Sequence, residues 1–353
     1  MAYTAIDDGS EYFHTQLYTG TGSSGLEVRN NANSGDFTPD WLWVKPRSAS
    51  DNHVLFDSSR GFDKQLKSNG NDAEDTHSPA KFTRETNGFD IDSTDGNYNG
   101  NGTTYVAWQW KCNNATTASN SDGGITSTVQ ANTTAGFSII LYTGTGSTSS
   151  VGHGLGDTPD WIIYKRRSGG TRDWMVFHQI ASAGGKGLIL NSASAGDTAS
   201  SIFGGNLPTS TTIPVGFATE TNTSGESHIA YAFAEKQGFS KFSSFVGNGS
   251  TDGPFVYTGF KPAWLMYKED ENQGGWGIWD SKRVIENPID IRLLANNNSA
   301  DDTSNDNRQD FLSNGFKVRT SSGGFNQSGR TIYYMAFAEH PFVSSKGVPV
   351  TAR

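Results

Sequence analysis

The chain repeats one series of short motifs three times, and this repeat limits its possible folds more than any other feature does. The motif Tyr-Thr-Gly-Thr-Gly at residues 18–22 recurs at 142–146 and, more loosely, at 245–249. Each repeat then has a tryptophan that opens an apolar segment: Trp41, Trp161 and Trp264. Since the same pattern in the same order favours the same local structure, we expect three units of one topology.

Further landmarks follow each tryptophan in the same order. A lysine comes four residues later in every repeat: Lys45, Lys165 and Lys268. An asparagine follows the next apolar segments: Asn69, Asn191 and Asn296. We interpret the tryptophans as core residues, because a tryptophan that opens a strand apolar on both faces is more often buried than bound to a ligand. The lysines are interpreted as the points where these strands reach solvent.

The repeats divide the chain into three units. Unit 1 covers residues 1–112, unit 2 covers 136–237, and unit 3 covers 238–353 with a C-terminal tail. Residues 113–135 are rich in Asn, Thr, Ser and Gly and are predicted to be a linker. We therefore expect units 1 and 2 to be joined loosely. Units 2 and 3 should be joined tightly, because residues 233–239 lead from one unit almost directly into the next.

The composition favours strands over helices. Apolar residues make up 34% of the chain and aromatic residues 12%, and small turn-forming residues such as the 42 glycines separate the apolar segments. No segment keeps a helical period, and the short apolar segments recur roughly 10–25 residues apart, as in antiparallel sandwiches. The predicted fold is all-β, with three tandem antiparallel β-sandwich repeats of jelly-roll or lectin-like type.

Charge and cysteine content exclude several classes of protein. The net charge is −9, and the only basic cluster is residues 165–167, so a nucleic-acid partner is not expected. No apolar stretch approaches the roughly 18 residues that span a membrane, so no membrane insertion is expected. Cys112 is the only cysteine, which rules out a disulfide within the chain. The N-terminus has no secretory signal, so the protein is expected to be made in a cytoplasm.

The repeats also carry a resemblance to a known group of proteins. The residues concerned are the Tyr-Thr-Gly-Thr-Gly openings, the Pro-Asp-Trp segments, Leu-Phe-Asp-Ser-Ser-Arg-Gly at 55–61, and the aromatic segments at 105–111 and 333–342. In these the chain resembles the repeat-bearing, tail-fibre-like virion proteins of marine tailed phages, which have concanavalin-type lectin or glucanase sandwich domains. The resemblance implies a virion surface protein, made in the host cytoplasm and assembled as a homotrimer.

Three functions are compatible with this resemblance. The first is a non-enzymatic, tail-associated protein that binds host-surface glycans, with many copies on one particle supplying avidity. The second is a capsid-decorating or tail-structural protein that binds only other virion proteins. This one is favoured because unit 1 begins almost at Met1, where a tail fibre typically has an attachment region. The third is a polysaccharide-degrading enzyme.

The candidate glycan site consists of two tryptophans beside polar loops. Trp276 follows the loop that contains Asn272 and Gln273, and Trp174 follows Arg172 and Asp173. An exposed indole ring could stack on the apolar face of a pyranose, while neighbouring amide, guanidinium and carboxylate groups bind its hydroxyls. The alternative is that both rings pack inward at the edge of the sheet.

Catalytic residues, metal ligands and cofactors are not expected. A glycosidase needs two carboxylates that flank the bond, and no closely spaced acidic group recurs in the repeats. Asp57 and Asp280 occupy matching places, but His178 holds that place in unit 2. The histidines show no spacing typical of a zinc site. We therefore predict a protein that is not an enzyme.

Overall fold

The computed structural model describes residues 4–6, 8–30, 37–269 and 274–338. Strands make up 42% of the chain and helices 7%, and the strand pairing within the sheets is antiparallel, so the all-β prediction is confirmed. The helices are single turns: Gly96–Asn99 (α1), Gln179–Ala183 (α2), Ala199–Phe203 (α3) and Thr219–Asn222 (α4), with 3-10 turns at Gly9–Glu11 and Asn305–Asn307. In the described part of the chain, none of these helices is long and apolar enough to cross a membrane.

Unit 1 contains one large sheet and one small sheet. Its strands are Phe13–Thr19 (β1), Leu26–Arg29 (β2), Trp41–Pro46 (β3), Val54–Asp57 (β4), Gly61–Leu66 (β5), Asp75–Thr76 (β6), Phe82–Glu85 (β7), Gly88–Ile91 (β8) and Thr104–Trp110 (β9). The large sheet has the order β1-β9-β3-β4-β5-β6, and the small sheet has the order β2-β8-β7.

Unit 2 has the same arrangement with two additional strands at one edge. The strands are Ala118–Asn120 (β10), Ser127–Asn132 (β11), Phe137–Thr143 (β12), Ser149–Gly152 (β13), Trp161–Arg166 (β14), Met175–His178 (β15), Lys186–Ile189 (β16), Asp197–Thr198 (β17), Thr212–Val215 (β18) and Ser227–Phe233 (β19). The large sheet has the order β10-β11-β12-β19-β14-β15-β16-β17, and β13 pairs with β18.

Unit 3 again has a large and a small sheet. Its strands are Ser240–Val246 (β20), Phe255–Tyr257 (β21), Pro262–Glu269 (β22), Gly277–Asp280 (β23), Leu293–Leu294 (β24), Gln309–Leu312 (β25), Gly315–Val318 (β26) and Thr331–Ala338 (β27). The large sheet has the order β20-β27-β22-β23-β24, and the small sheet has the order β21-β26-β25.

The three tryptophans that open the central strands lie at matching positions in the three large sheets. In each sheet the last strand of the unit pairs with both the first strand and the tryptophan strand. Trp161 lies opposite Phe233, just as Trp264 lies opposite Phe337 and Trp41 opposite Trp110. The exposed fraction of all three tryptophans is 1% or less. The interpretation of these residues as core is therefore confirmed.

The segment 113–135, expected to be a linker, contains strands β10 and β11 and extends the large sheet of unit 2. Its composition is polar, but Ile125 and Val129 turn inward and join the core of unit 2. The segment also contacts unit 1, because the buried Gln130 donates hydrogen bonds to the hydroxyls of Ser58 and Ser59. The junction between units 1 and 2 is consequently closer than the composition indicated.

The apolar side chains form one cluster within each unit and one cluster shared by all three. Each of the three smaller clusters combines side chains from the large and the small sheet of one unit. The largest cluster combines the other faces of the three large sheets and contains Trp41, Trp161 and Trp264. The three large sheets therefore turn one face toward each other, and this face is apolar in every unit.

The lysines that follow these tryptophans do not reach solvent. Lys45, Lys165 and Lys268 are all 0% exposed. The Lys165 amine donates to the Asn71 carbonyl of unit 1, at 2.9 Å, and the Lys268 amine donates to a carbonyl of unit 2. Burial lowers the pKa of Lys45 and of Lys165 to about 8. The expectation of solvent-exposed amines was wrong. The strands that carry Lys165 and Lys268 end against a neighbouring unit, which binds their amines.

Candidate functional site

The two tryptophans proposed as sugar-stacking platforms are buried between units. Trp174 and Trp276 are both 0% exposed. The Trp174 indole N–H donates to the Lys67 carbonyl of unit 1 at 2.8 Å, and the Trp276 indole N–H donates to the Ile189 carbonyl of unit 2 at 2.7 Å. A ring enclosed by protein offers no face to a sugar. Of the two alternatives for these tryptophans, inward packing therefore agrees with the structure and the exposed sugar platform does not.

Of the other residues of the predicted site, the structure describes Arg172 and Asp173, and both bind neighbouring side chains. The Arg172 guanidinium donates to the Thr219 hydroxyl at 2.9 Å. The Asp173 carboxylate accepts a hydrogen bond of 2.7 Å from the Asn191 side chain. Asn272 and Gln273 lie outside the described residues. Where the chain is described, the predicted site thus consists of two buried rings and a polar loop that supports them.

A cyclic set of hydrogen bonds joins the three units at these positions. Three matching asparagines each accept, at the side-chain carbonyl, the backbone N–H of the residue that precedes β4, β15 or β23. Asn69 accepts from His53, Asn191 from Trp174 and Asn296 from Trp276. The carbonyl two residues before each asparagine receives a side chain from another unit. Trp174 of unit 2 binds unit 1, Trp276 of unit 3 binds unit 2, and His53 of unit 1 binds the Leu294 carbonyl of unit 3 at 3.0 Å.

His53 replaces the tryptophan of the other two units and makes an equivalent contact. The Trp43 indole N–H donates to His53 Nδ1 at 2.9 Å, so the ring proton lies on Nε2 and points at Leu294. Burial and the nearby charge of Lys45 hold the pKa of His53 well below its usual value. The imidazole is neutral, as its two hydrogen bonds require.

Aromatic rings fill the space between the units. The Trp41 ring stacks on Tyr231 of unit 2 with a centroid separation of 4.5 Å. Trp161 of unit 2 meets Trp276 of unit 3 edge to face at 5.9 Å. Phe13 of unit 1 stacks on Phe337 of unit 3 at 5.5 Å. Each pair of units thus shares at least one aromatic contact, which adds to the free energy from apolar burial.

Two of the three junctions also contain a group of two arginines and one acid. Between units 1 and 2, Glu74 binds Arg60 at 3.0 Å and Arg167 at 2.7 Å. The hydrogen bond from Arg167 and the charge of Arg60 outweigh burial and lower the pKa of Glu74. Between units 3 and 1, the same positions hold Arg283, Asp301 and Arg47, with separations of 2.9 and 2.8 Å. These charges fix two junctions in one geometry.

The junction between units 2 and 3 has a different chemistry. Unit 2 has Ala181 at the position of Arg60 and Arg283. It has Gly196 at the position of Glu74 and Asp301. His178 takes the place of Asp57, and its ring lies 4.9 Å from Tyr333 of unit 3. Burial lowers the pKa of His178 to about 4. Aromatic packing therefore takes the place of the buried arginine and acid group at this junction, where the partly exposed Lys241 of unit 3 also pairs with Glu235 of unit 2 at 2.7 Å.

Asp57 and Asp280, the two carboxylates considered for catalysis, each bind an arginine three residues later in the chain. Asp57 pairs with Arg60 and accepts a hydrogen bond of 2.7 Å from the Tyr231 hydroxyl of unit 2. Asp280 pairs with Arg283 and accepts one of 3.1 Å from the Trp108 indole of unit 1. Both acids are 0% exposed. Among the described residues, no group of three His, Cys, Asp or Glu side chains could hold a metal ion.

The sequence analysis missed three asparagines that fix the Tyr-Thr-Gly-Thr-Gly loops. In each unit a fully buried asparagine accepts a backbone N–H from the loop and donates to two or more carbonyls; these are Asn99, Asn222 and Asn326. They lie 77 or 78 residues after the loop residue that they hold. This constant separation was the available signal. Each of the three loops is therefore held by a buried side chain of its own unit.

We expect the protein to lose stability as the pH falls from about 6.5 to 4. Burial lowers the pKa of both His178 and His228 to about 4, so the folded state resists protons that the unfolded state accepts below 6.5. Each depressed pKa corresponds to about 3 kcal/mol of unfolding free energy lost across this range. Urea unfolding at pH 7 and pH 4.5 measures the loss, and H178Q should reduce it. Equal midpoints at the two pH values would contradict this assignment.

One family model matches nearly the whole chain, over residues 8–341, and its description is "Domain of unknown function (DUF7483)". The chain belongs to this family. The match runs continuously through units 1, 2 and 3, so the DUF7483 family model corresponds to the three units together and not to a single repeat. No curated protein and no solved structure matches the chain.

Proposed function

We propose that this DUF7483 protein is a non-enzymatic structural component of a tailed-phage virion surface, which binds other virion proteins as a capsid-decorating or tail-structural element. One observation carries the choice between this role and glycan adhesion. The tryptophans best suited to a sugar, Trp174 and Trp276, hold units together and expose no ring. The motif resemblance supports the virion location.

The proposed architecture is three tandem β-sandwiches of jelly-roll or lectin-like type. The same five-strand order in each large sheet supports it, as do the matching registers of the three tryptophans. So does the presence in each unit of a cluster with side chains from both of its sheets. A small sheet of two or three strands faces each large sheet across this cluster.

We propose that the three units of a single chain form one structural block, in place of the homotrimer that the resemblance implies. The cyclic contacts supply between units the kind of interface that a trimer supplies between subunits. Trp174 of unit 2 binds unit 1, Trp276 of unit 3 binds unit 2, and His53 of unit 1 binds unit 3, which closes the cycle. Asp301 and Arg47 add an ion pair between units 3 and 1. A block of this kind presents rigid outer loops to neighbouring proteins.

Deletion of the protein from the particle tests the proposed role. Particles that lack it should show altered assembly or lower resistance to heat and low salt, with unchanged adsorption to host cells. A density map of the complete particle should place the three-unit block against capsid or tail proteins. Intact particles that no longer adsorb would contradict the proposal and assign the protein to glycan adhesion.

A further inference from the structure

Unit 3 meets each of its two neighbours at a buried histidine. His53 of unit 1 is 0% exposed, and His178 of unit 2 is 1% exposed. The His53 ring binds the Leu294 carbonyl of unit 3, and the His178 ring lies 4.9 Å from Tyr333 of unit 3. Both junctions of unit 3 therefore contain a side chain that can gain a charge in mildly acidic solution.

The hydrogen bonds of His53 leave no place for a second ring proton. Nδ1 accepts the Trp43 indole N–H at 2.9 Å, and the proton on Nε2 points to the Leu294 carbonyl, 3.0 Å away. A proton added to Nδ1 faces the Trp43 N–H, so that two donors meet at one position. The charged imidazole is consequently incompatible with the packing that closes this junction.

The charged groups around His53 also oppose its protonation. Burial contributes most to its low pKa, and the positive charges of Lys45 of unit 1 and Arg283 of unit 3 lower it further. The nearby acids Asp280 and Asp301 are both bound to Arg283. In the described part of the chain, no carboxylate forms an ion pair with His53 that would favour its charged form.

His178 repeats this arrangement at the junction between units 2 and 3. Its Nδ1 accepts the Ile180 N–H at 3.2 Å, so the ring proton lies on Nε2. The Ser243 carbonyl of unit 3 faces the ring without forming a regular hydrogen bond to it. Trp161 and Tyr333 enclose the ring at centroid distances of 5.3 and 4.9 Å, and the Tyr333 phenol is neutral in acid. Burial therefore dominates, and it lowers the pKa of His178 to about 4.

The junction between units 1 and 2 has other groups at the matching positions. Trp174 takes the position of His53, and its indole does not titrate; Asp57 takes the position of His178 and is bound by Arg60. Glu74 keeps its charge in mild acid, because the hydrogen bond from Arg167 and the charge of Arg60 outweigh burial and lower its pKa. This junction is therefore built to persist where the two junctions of unit 3 are not.

We propose that acid separates unit 3 selectively from units 1 and 2, because a buried neutral histidine closes each of its two junctions. Each ring accepts an N–H of its own unit at Nδ1, and an added proton disrupts that hydrogen bond. Once separated, unit 3 stays tethered to unit 2 through residues 234–238. This pH-sensitive junction goes beyond the proposed function and does not depend on it.

Proton linkage gives the direction and the size of the effect. A histidine in an opened junction binds a proton below about pH 6.5, whereas the closed junction resists that proton until about pH 4. Falling pH therefore favours the opened state. Between pH 6.5 and 4.5 the ratio of opened to closed junctions should rise about 100-fold for each histidine, or roughly 10⁴-fold for both.

Calorimetry and hydrogen exchange on the full-length chain test this proposal. At pH 7 we expect one thermal transition, and at pH 4.5 we expect two. The first of the two should carry about a third of the total enthalpy, because unit 3 has about a third of the residues. Amide hydrogen exchange at pH 4.5, corrected for the intrinsic exchange rate, should accelerate in β22 and β27 of unit 3 before it accelerates in β3 and β14.

The double variant H53Q/H178Q removes the titration and keeps the hydrogen bonds. Glutamine offers one acceptor and one donor group without a proton to gain, so this variant should show a single transition at pH 4.5 as well. H153Q is the matched control. His153 is buried within unit 2 and also accepts an N–H at Nδ1, from Leu155, but it touches neither junction of unit 3, so H153Q should still give two transitions.

Three results would overturn the proposal. The first is a single transition of the wild-type chain at pH 4.5 with uniform hydrogen exchange across the units. The second is the separation of unit 1 or unit 2 ahead of unit 3. The third is a split transition that persists in H53Q/H178Q. The exchange experiment needs no variant, so it decides the question even if the double variant does not fold.

Discussion

Replacing Trp276 with alanine is expected to lower the free energy of unfolding by roughly 3–5 kcal/mol. The ring is 0% exposed and meets Trp161 of unit 2, and its N–H binds the Ile189 carbonyl. The substitution leaves a cavity between two units and removes the shorter hydrogen bond of the Ile189 carbonyl, which keeps a longer one of 3.4 Å from the Ser192 N–H. Urea unfolding followed by far-UV circular dichroism measures the change.

Two further variants separate the contributions of the Trp276 side chain. W276F keeps most of the ring but removes the N–H, so the loss should be about 1–3 kcal/mol. F217A is the matched control, because Phe217 is 61% exposed, and it should change stability by less than about 0.5 kcal/mol. A W276A protein of normal stability that fails to bind cells would instead restore Trp276 as a sugar platform.

Removing the Arg60 guanidinium is expected to cost about 3–5 kcal/mol of unfolding free energy at neutral pH. Its side chain is 0% exposed and pairs with Asp57 and Glu74 at the junction between units 1 and 2. R60M keeps most of the volume but leaves Asp57 buried without its counter-charge. The same loss is expected for R283M, which occupies the matching position beside Asp280.

A surface ion pair provides the comparison for R60M. Lys64 pairs with Asp63 at 3.2 Å, with both side chains partly exposed, so K64M should cost less than about 1 kcal/mol. The double variant R60M/D57N removes both charges, and it should recover part of the loss because no uncompensated charge remains buried. Equal stability of R60M and K64M would contradict the role assigned to the buried pair.

The sequence was sufficient to predict the all-β class and the burial of the three tryptophans that open central strands. Both follow from local pattern, because a strand that is apolar on both faces must be covered on both sides. Trp161, for example, could be assigned to the core from the residues that follow it. Patterns of this kind depend only on neighbours along the chain.

Contacts between units could not be read from local pattern. Trp174 follows a polar loop that resembles an exposed rim, yet its ring is covered by residues 67 and 70, more than 100 positions earlier. Arg167 and Glu74 are 93 residues apart, and nothing near either one indicates the pair. The same limit applies to residues 113–135, whose polar composition hides the inward positions Ile125 and Val129.

Differential scanning calorimetry tests most directly whether the buried aromatic rings join the three units into one body. Because unit 1 bonds to both of the others through buried groups, the chain should unfold in a single transition with equal calorimetric and van't Hoff enthalpies. W276A should move that whole transition to lower temperature. Separate transitions for the three units, with W276A shifting only the one that belongs to unit 3, would contradict the joined block and the structural role proposed for it.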